Sequence, residues 1–293
     1  MKRILTGVAL ATTAALVTAT PALAAAPKDP VVAVKKQLVP GKGVKFTERT
    51  TVSEGDTREV FVRRTGTLQF GKSGIAASDI TGKLNITASD LEGLDESGEN
   101  AELASLIKAM AQPERTIRIG TTSYISGNVW ATMMPEGKTW FKAAKGPTGG
   151  LLGTFGQPLN LAEPATVKTL LKGAKTTGSG YTGKTLIRDL WKASPWLRAT
   201  WTSKPSAKAM KTPISWRITV NGAGLPTRLV TTFPMAVLGT GGKGSVSVDT
   251  SYTGWGSAVS IKAPPADEVT SAFKDGEDDI SEALDLPLGS IAG

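Results

Sequence analysis

The 293-residue chain contains no cysteine and no histidine. The first absence removes disulfides, thiol nucleophiles and any lipid attached through a cleavage-site cysteine. The second excludes every Ser-His-Asp and Cys-His mechanism, and both together exclude the ordinary zinc site. Aromatic residues are scarce at 6%, and beyond the amino-terminal stretch no apolar run approaches the ~20 residues that cross a bilayer as a helix. No glycine-rich phosphate cradle follows a strand and opens a helix. Two Ser-x-x-Lys matches, Ser105 to Lys108 and Ser271 to Lys274, lack the Ser-Asp-Asn and Lys-Thr-Gly elements of penicillin-interacting enzymes. The cluster Asp275, Glu277, Asp278 and Asp279 lacks the ligand ladder and closing Glu of a calcium loop. Asp95, Glu96, Glu99 and Glu102 read as loop and helix-start charges. No cofactor, metal or catalytic residue is expected.

What is present begins with a secretory signal. Lys2 and Arg3 precede an apolar run from Ile4 to Val17 and the small-residue site Ala22-Leu23-Ala24. Residues 1–26 are therefore expected to be removed, leaving a domain over 27–268 and an acidic tail over 269–293. Hydrophobic residues at 40% and charged residues at 20% suit a chain with a core, and 33 glycines with 17 prolines suit many turns. Charge is unevenly spread. Between Ala165 and Arg217 eleven Lys or Arg face one acid, Asp189, whereas Asp267 to Asp285 holds eight acids and one base, Lys274.

Period-2 alternation predicts strands at Val44–Val52, Arg58–Phe70 and Ile80–Ala88, joined by short turns, which is the pattern of an antiparallel meander. Shorter strands are expected at Thr116–Ile119, Ser123–Ile125, Trp130–Met134, Lys138–Ala143, Ile214–Val220, Leu229–Phe233, Ser245–Tyr252 and Ala258–Ile261. Apolar residues at helical spacing predict helices over Ala101–Gln112, from Glu163-Pro164 to Gly173, and over Thr182–Ala193. The expected fold class is α+β: a single curled antiparallel sheet of roughly ten strands, a half β-barrel, with helices covering its concave face.

One stretch carries a resemblance. Tyr252, Trp255, Gly256, Val259, Ile261, Pro264, Pro265, Ala266 and Asp267, in YTGWGSAVSIKAPPADEV, match the carboxy-terminal signature of the LppX/LprG group of actinobacterial envelope lipoproteins. Looser agreement comes from Gly66–Ser73, Pro135–Trp140, Ser215-Trp216 and Gly224-Leu225-Pro226. The resemblance implies a half-barrel closed by helices, similar to the LolA lipoprotein carriers, that holds acyl chains in its hollow. This chain departs from the group in lacking the lipidation cysteine, so a soluble, exported, unanchored protein is expected. Taken alone, the two prolines end strand pairing because they lack backbone donors.

The functional expectation is a non-catalytic carrier of a lipid, glycolipid or other amphiphile. Its alternative is an envelope sensor or adaptor of the same fold with a collapsed hollow. A hydrolase built on carboxylates alone needs two convergent acids, and the sequence offers no such pair. Candidate cavity residues are Leu84, Ile86, Ile117, Ile119, Leu170, Leu186, Leu190, Trp216, Ile218 and Val220. Lys168, Lys172, Lys184, Arg188 and Lys192 are candidate contacts to an anionic membrane surface or wall polymer. The aromatics of the basic segment form no stacking module, so nucleic acid is not an expected partner.

Overall fold

A computed structural model describes residues 29–92, 101–201, 203–239 and 243–274. The expected signal peptide, Asp95, Glu96, Glu99 and the acidic run from Asp275 lie outside the described residues. In chain order the first elements are α1 (Pro30–Gln37), β1 (Lys42–Glu54), β2 (Thr57–Phe70), β3 (Ile75–Leu84), α2 (Ala88–Leu91) and α3 (Ala101–Met110). Then come β4 (Glu114–Ile119), β5 (Thr122–Gly127), α4 (Trp130–Met133), β6 (Trp140–Ala143) and α5 (Pro164–Leu171). They are followed by β7 (Lys175–Thr177), β8 (Gly180–Leu186), α6 (Ile187–Ala193), α7 (Pro195–Thr200) and α8 (Ala207–Met210). The last are β9 (Pro213–Val220), β10 (Pro226–Pro234), β11 (Ser245–Ala258) and β12 (Val269–Thr270).

All twelve strands belong to one sheet, ordered β12-β6-β5-β4-β3-β2-β1-β11-β10-β9-β8-β7. Two meanders, β1 to β6 and β7 to β11, are joined where β1 pairs with β11. Only the two-residue β12–β6 contact is parallel, and the sheet curls without closing. The α+β expectation holds, with twelve strands where about ten were expected.

Differences from the expected elements have local causes. Thr182–Leu186 is strand, not helix: β8 pairs with β9 along its whole length, and sheet pairing outweighs a helical spacing that five residues specify poorly. Trp130–Met133 is a helix, not a strand; it buries Trp130, whose indole N–H donates to Glu114 at 2.7 Å. The expected strands at Ser245–Tyr252 and Ala258 merge into the continuous β11, and 259–261 is not strand. The described start of the expected acidic tail contributes to the fold. Val269 and Thr270 pair with β6, and Phe273 stacks on Phe141 at 4.2 Å between ring centres.

One face of the sheet carries the core. Val44 and Phe46 of β1, Leu68 and Phe70 of β2, and Trp216 and Ile218 of β9 pack with Val167 and Leu170 of α5 and Leu190 of α6. A second cluster joins Val62, Leu84, Ile125, Trp130, Phe141 and Phe273. Between sheet and helices, where a hollow would lie, runs a segment of loop with one short 3-10 helix (Leu151–Phe155), residues 146–163, in which every residue but Thr154 is buried. Its Leu151, Leu152 and Phe155 enter the second cluster, and Leu159 and Leu161 enter the first. The residual void beneath it holds about 10 Å³, at or below the room one water needs.

Irregular backbone in a core must find partners for its N–H and C=O groups, and the sheet supplies them. Glu48, in phase with Val44 and Phe46 on β1, accepts from Gln157 N at 3.2 Å and from Thr250 Oγ1 at 3.1 Å. Its register neighbour on β2, Arg64, lies 3.1 Å from Glu48 by its Nε and donates from Nη1 to the carbonyls of Leu152 and Gly153. Thr50 Oγ1 donates to Phe155 O at 2.7 Å. Glu114 of β4 accepts from Leu151 N and Leu152 N, both at 3.2 Å. Glycine lets the segment approach these charges closely: a Cβ at Gly150, which also has φ +62°, would sit 2.2 Å from Glu114 Oε1, and one at Gly156 1.9 Å from Arg64 Nη1.

Candidate functional site

With the hollow filled by the chain itself, the space open to a ligand lies at the edge of the helical layer. A pocket of about 970 Å³ is bounded by α1, the β2–β3 and β4–β5 turns, α5 and α7. That is at the upper end of the volumes typical of small-molecule sites.

Its walls follow from local sequence. Asp29 caps α1 by accepting from Val31 N at 2.8 Å, and Pro30 occupies the first helical position. Val31 and Lys35 of the helix and Leu38 just after it line the pocket. Helices α5 and α7 also begin with proline, and both amino termini converge on one carboxylate. Glu163 accepts from Thr166 Oγ1 at 2.8 Å, from Trp196 N at 2.7 Å and from Ser194 Oγ. Burial raises its pKa above the ordinary carboxylate value, and these donors oppose the rise. Gly120 N donates to Ala76 O at 3.1 Å, tying the β4–β5 turn to β3. Trp196, 8% exposed, lines both the pocket and the residual interior void.

Val31, Leu38, Ile75 and Trp196 make the pocket partly apolar, and Lys35, Lys72, Arg118 and Lys168 make it cationic. Glu163 is the single carboxylate among the described lining residues, and its oxygens are occupied.

None of the ten expected cavity residues lines this pocket. Leu170, Leu190, Trp216 and Ile218 are fully buried in the first cluster, with Val220 packed against it, and Leu84 and Ile86 belong to or border the second. Leu186 is half-buried at the end of β8. Ile117 joins neither cluster and Ile119 is 36% exposed. The reason is register: Glu114, Thr116 and Arg118 hold the helix-covered face of β4, and alternation sends Ile117 and Ile119 to the other. The five basic candidates are all exposed, on α5, β8 and α6 or just after α5. Lys168 alone reaches the pocket.

Sequence reasoning did not select Arg118, Thr148 or Trp196. The signal for Glu48 and Arg64 was readable, since each is a charge in phase with an apolar strand stripe. For Arg118 no such signal exists, because TIRI alternates equally well in either register.

No protein-family model matches the chain, and no curated protein does. Among solved structures it is similar to a LolA superfamily protein from Nitrosomonas europaea, at 8% identity and TM-score 0.31, covering 80% of this chain and 93% of that one. A hypothetical protein from Chlamydia trachomatis gives 10% identity and TM-score 0.31, covering 80% and 98%. A DUF1329 family protein from Desulfovibrio piger gives 10% and 0.28, covering 77% and 92%. Likenesses this slight carry no argument about function, and they do not show the LppX/LprG group; strand order and register alone define the fold.

Proposed function

We propose that the protein is an exported, non-catalytic binder and carrier of a lipid or other amphiphile, working outside the cytoplasmic membrane without a lipid anchor. The observation that carries this reading is the 970 Å³ pocket with apolar and cationic walls, set beside an interior that residues 146–163 occupy. Burying alkyl chain is favourable by about 0.8 kcal/mol per methylene, so a modest tail offsets extraction from a bilayer. Each buried carboxylate, Glu48, Glu114 and Glu163, is engaged by the chain's own backbone N–H groups, an arrangement that serves folding. The signal-like start and the LppX/LprG-like residues 252–267 support export and cargo class.

The test is native mass spectrometry of protein purified from its host's medium or envelope, with lipids extracted in parallel. A co-purifying amphiphile near one-to-one, lost in Ala165→Trp, which fills the pocket mouth from α5, is the expected result. A clean apo mass with no uptake of host lipid extract overturns it. The adaptor reading has two observations in its favour, the filled interior and the exposed Val32 and Val39, each at 47%, in and just after α1. It gains from the same negative result.

A further inference from the structure

Buried polar atoms in folded proteins are almost always hydrogen-bonded. Two that line this pocket are not. Arg118 Nε is buried without a partner, and so is the hydroxyl of Thr148, a residue only 2% exposed. They are close in the fold. Arg118 is the register partner of Ser123, Ser123 Oγ donates to Pro147 O at 2.9 Å, and Thr148 follows. Thr148 N is already committed, to Ala199 O at 2.7 Å.

No ion pair is found for Arg118, Lys35, Lys72 or Lys168 among the described residues. The lining carboxylate, Glu163, spends its oxygens on α5 and α7. Desolvation, with no anion to oppose it, lowers the Arg118 pKa. Among the described residues the site thus lacks a free counter-anion, and a guanidinium offers the forked donors that phosphate and carboxylate accept.

We propose that the pocket selects amphiphiles with an anionic head, a phosphate or carboxylate seated on Arg118 and Thr148, with Lys35, Lys72 and Lys168 around it and the tail toward Val31, Leu38, Ile75 and Trp196. This rests on the amphiphile reading of the same pocket.

Isothermal titration with dodecyl phosphate, dodecanol and inorganic phosphate tests it. The expected result is dodecyl phosphate bound about tenfold or more tighter than dodecanol, a preference lost in Arg118→Gln with dodecanol affinity retained. Thr148→Val reduces the preference without removing a charge, and it serves should Arg118→Gln fail to fold. Equal affinities for the two alkyl probes in the wild type, or a preference surviving both substitutions, overturn the proposal. Binding of neither alkyl probe and no phosphate overturns it together with the amphiphile reading. Inorganic phosphate bound as tightly as dodecyl phosphate, with dodecanol silent, supports the anion seat and overturns the amphiphile reading alone.

Discussion

Glu114 and Arg118 stand on the same face of the same strand, four residues apart, and the fold treats them oppositely. Glu114 lies under residues 146–163, where two backbone N–H groups and the Trp130 indole meet its oxygens. Arg118 lies at the edge of that cover, where no described residue offers its Nε an acceptor. The contrast extends across the sheet. Beneath the segment, Glu48, Arg64 and Thr250 form a row over three adjacent strands: Glu48 makes an ion pair with Arg64 and accepts from Thr250, and Glu48 and Arg64 also bond the backbone above. At the pocket, Thr148 has no partner for its hydroxyl, and Lys35, Lys72 and Lys168 have no ion pair among the described residues. Charged groups on the covered sheet face therefore differ in what meets them: the backbone of residues 146–163 bonds Glu48, Arg64 and Glu114 and closes the interior, whereas Arg118 faces the pocket.

The sharpest way to break this contrast is at Arg64. Arg64→Met strands the Glu48 carboxylate, both side chains being 2% exposed or less, and is expected to cost about 3–5 kcal/mol in urea unfolding. Glu48→Leu combined with Arg64→Met should recover part of that. A loss under about 1 kcal/mol would mean the segment is not held by this row.

Next comes pH. Burial raises the Glu114 pKa from 4.5 to about 7, against the opposing pull of the Trp130, Leu151 and Leu152 donors and the Arg64 charge. The folded state holds that proton more tightly than the unfolded state does. Its contribution is therefore complete below pH 4.5 and is lost as pH rises through about 7. Wild type should lose on the order of 3 kcal/mol more than Glu114→Gln across that window, as read from denaturation midpoints at pH 5 and pH 8. Parallel curves for the two proteins would remove Glu114 as the source. Glu163, also raised by burial, adds a slope of the same sign.

At the pocket, the effects should fall on binding and spare the fold. Ala165→Trp should abolish uptake of a fluorescent fatty acid while shifting stability by no more than about 0.5 kcal/mol; a stability loss as large as that of Arg64→Met would show that the pocket wall is part of the closed interior. The smallest effect is expected at the exposed Lys72. Lys72→Gln should weaken an anionic amphiphile a few-fold, less so at high salt because exposed charges are screened, with no measurable change in melting temperature.

Much of the sheet was legible in the sequence. VKFTERTTV and ISWRITV alternate cleanly because one side of each strand meets core and the other water, and β1 and β9 lie within two residues of where the alternation places them at either end. Strand ends and short helices were less legible. Trp130–Met133 and Thr182–Leu186 are too short for periodicity to separate helix from strand, and Trp130 burial and β8–β9 pairing decided them.

By itself, the sequence determined the class of fold, the absence of thiol and imidazole chemistry, and the charge asymmetry, all of which depend on composition or local period. Tertiary structure alone decided the rest. Whether Ile117 or Arg118 faces inward depends on the register of β4 against β3 and β5. Whether the hollow is open depends on where residues 146–163 run, and that path is chosen by Glu48, Arg64 and Glu114, charges from three strands. Such bonds span up to 109 residues of chain, and no local pattern encodes a partner so far away.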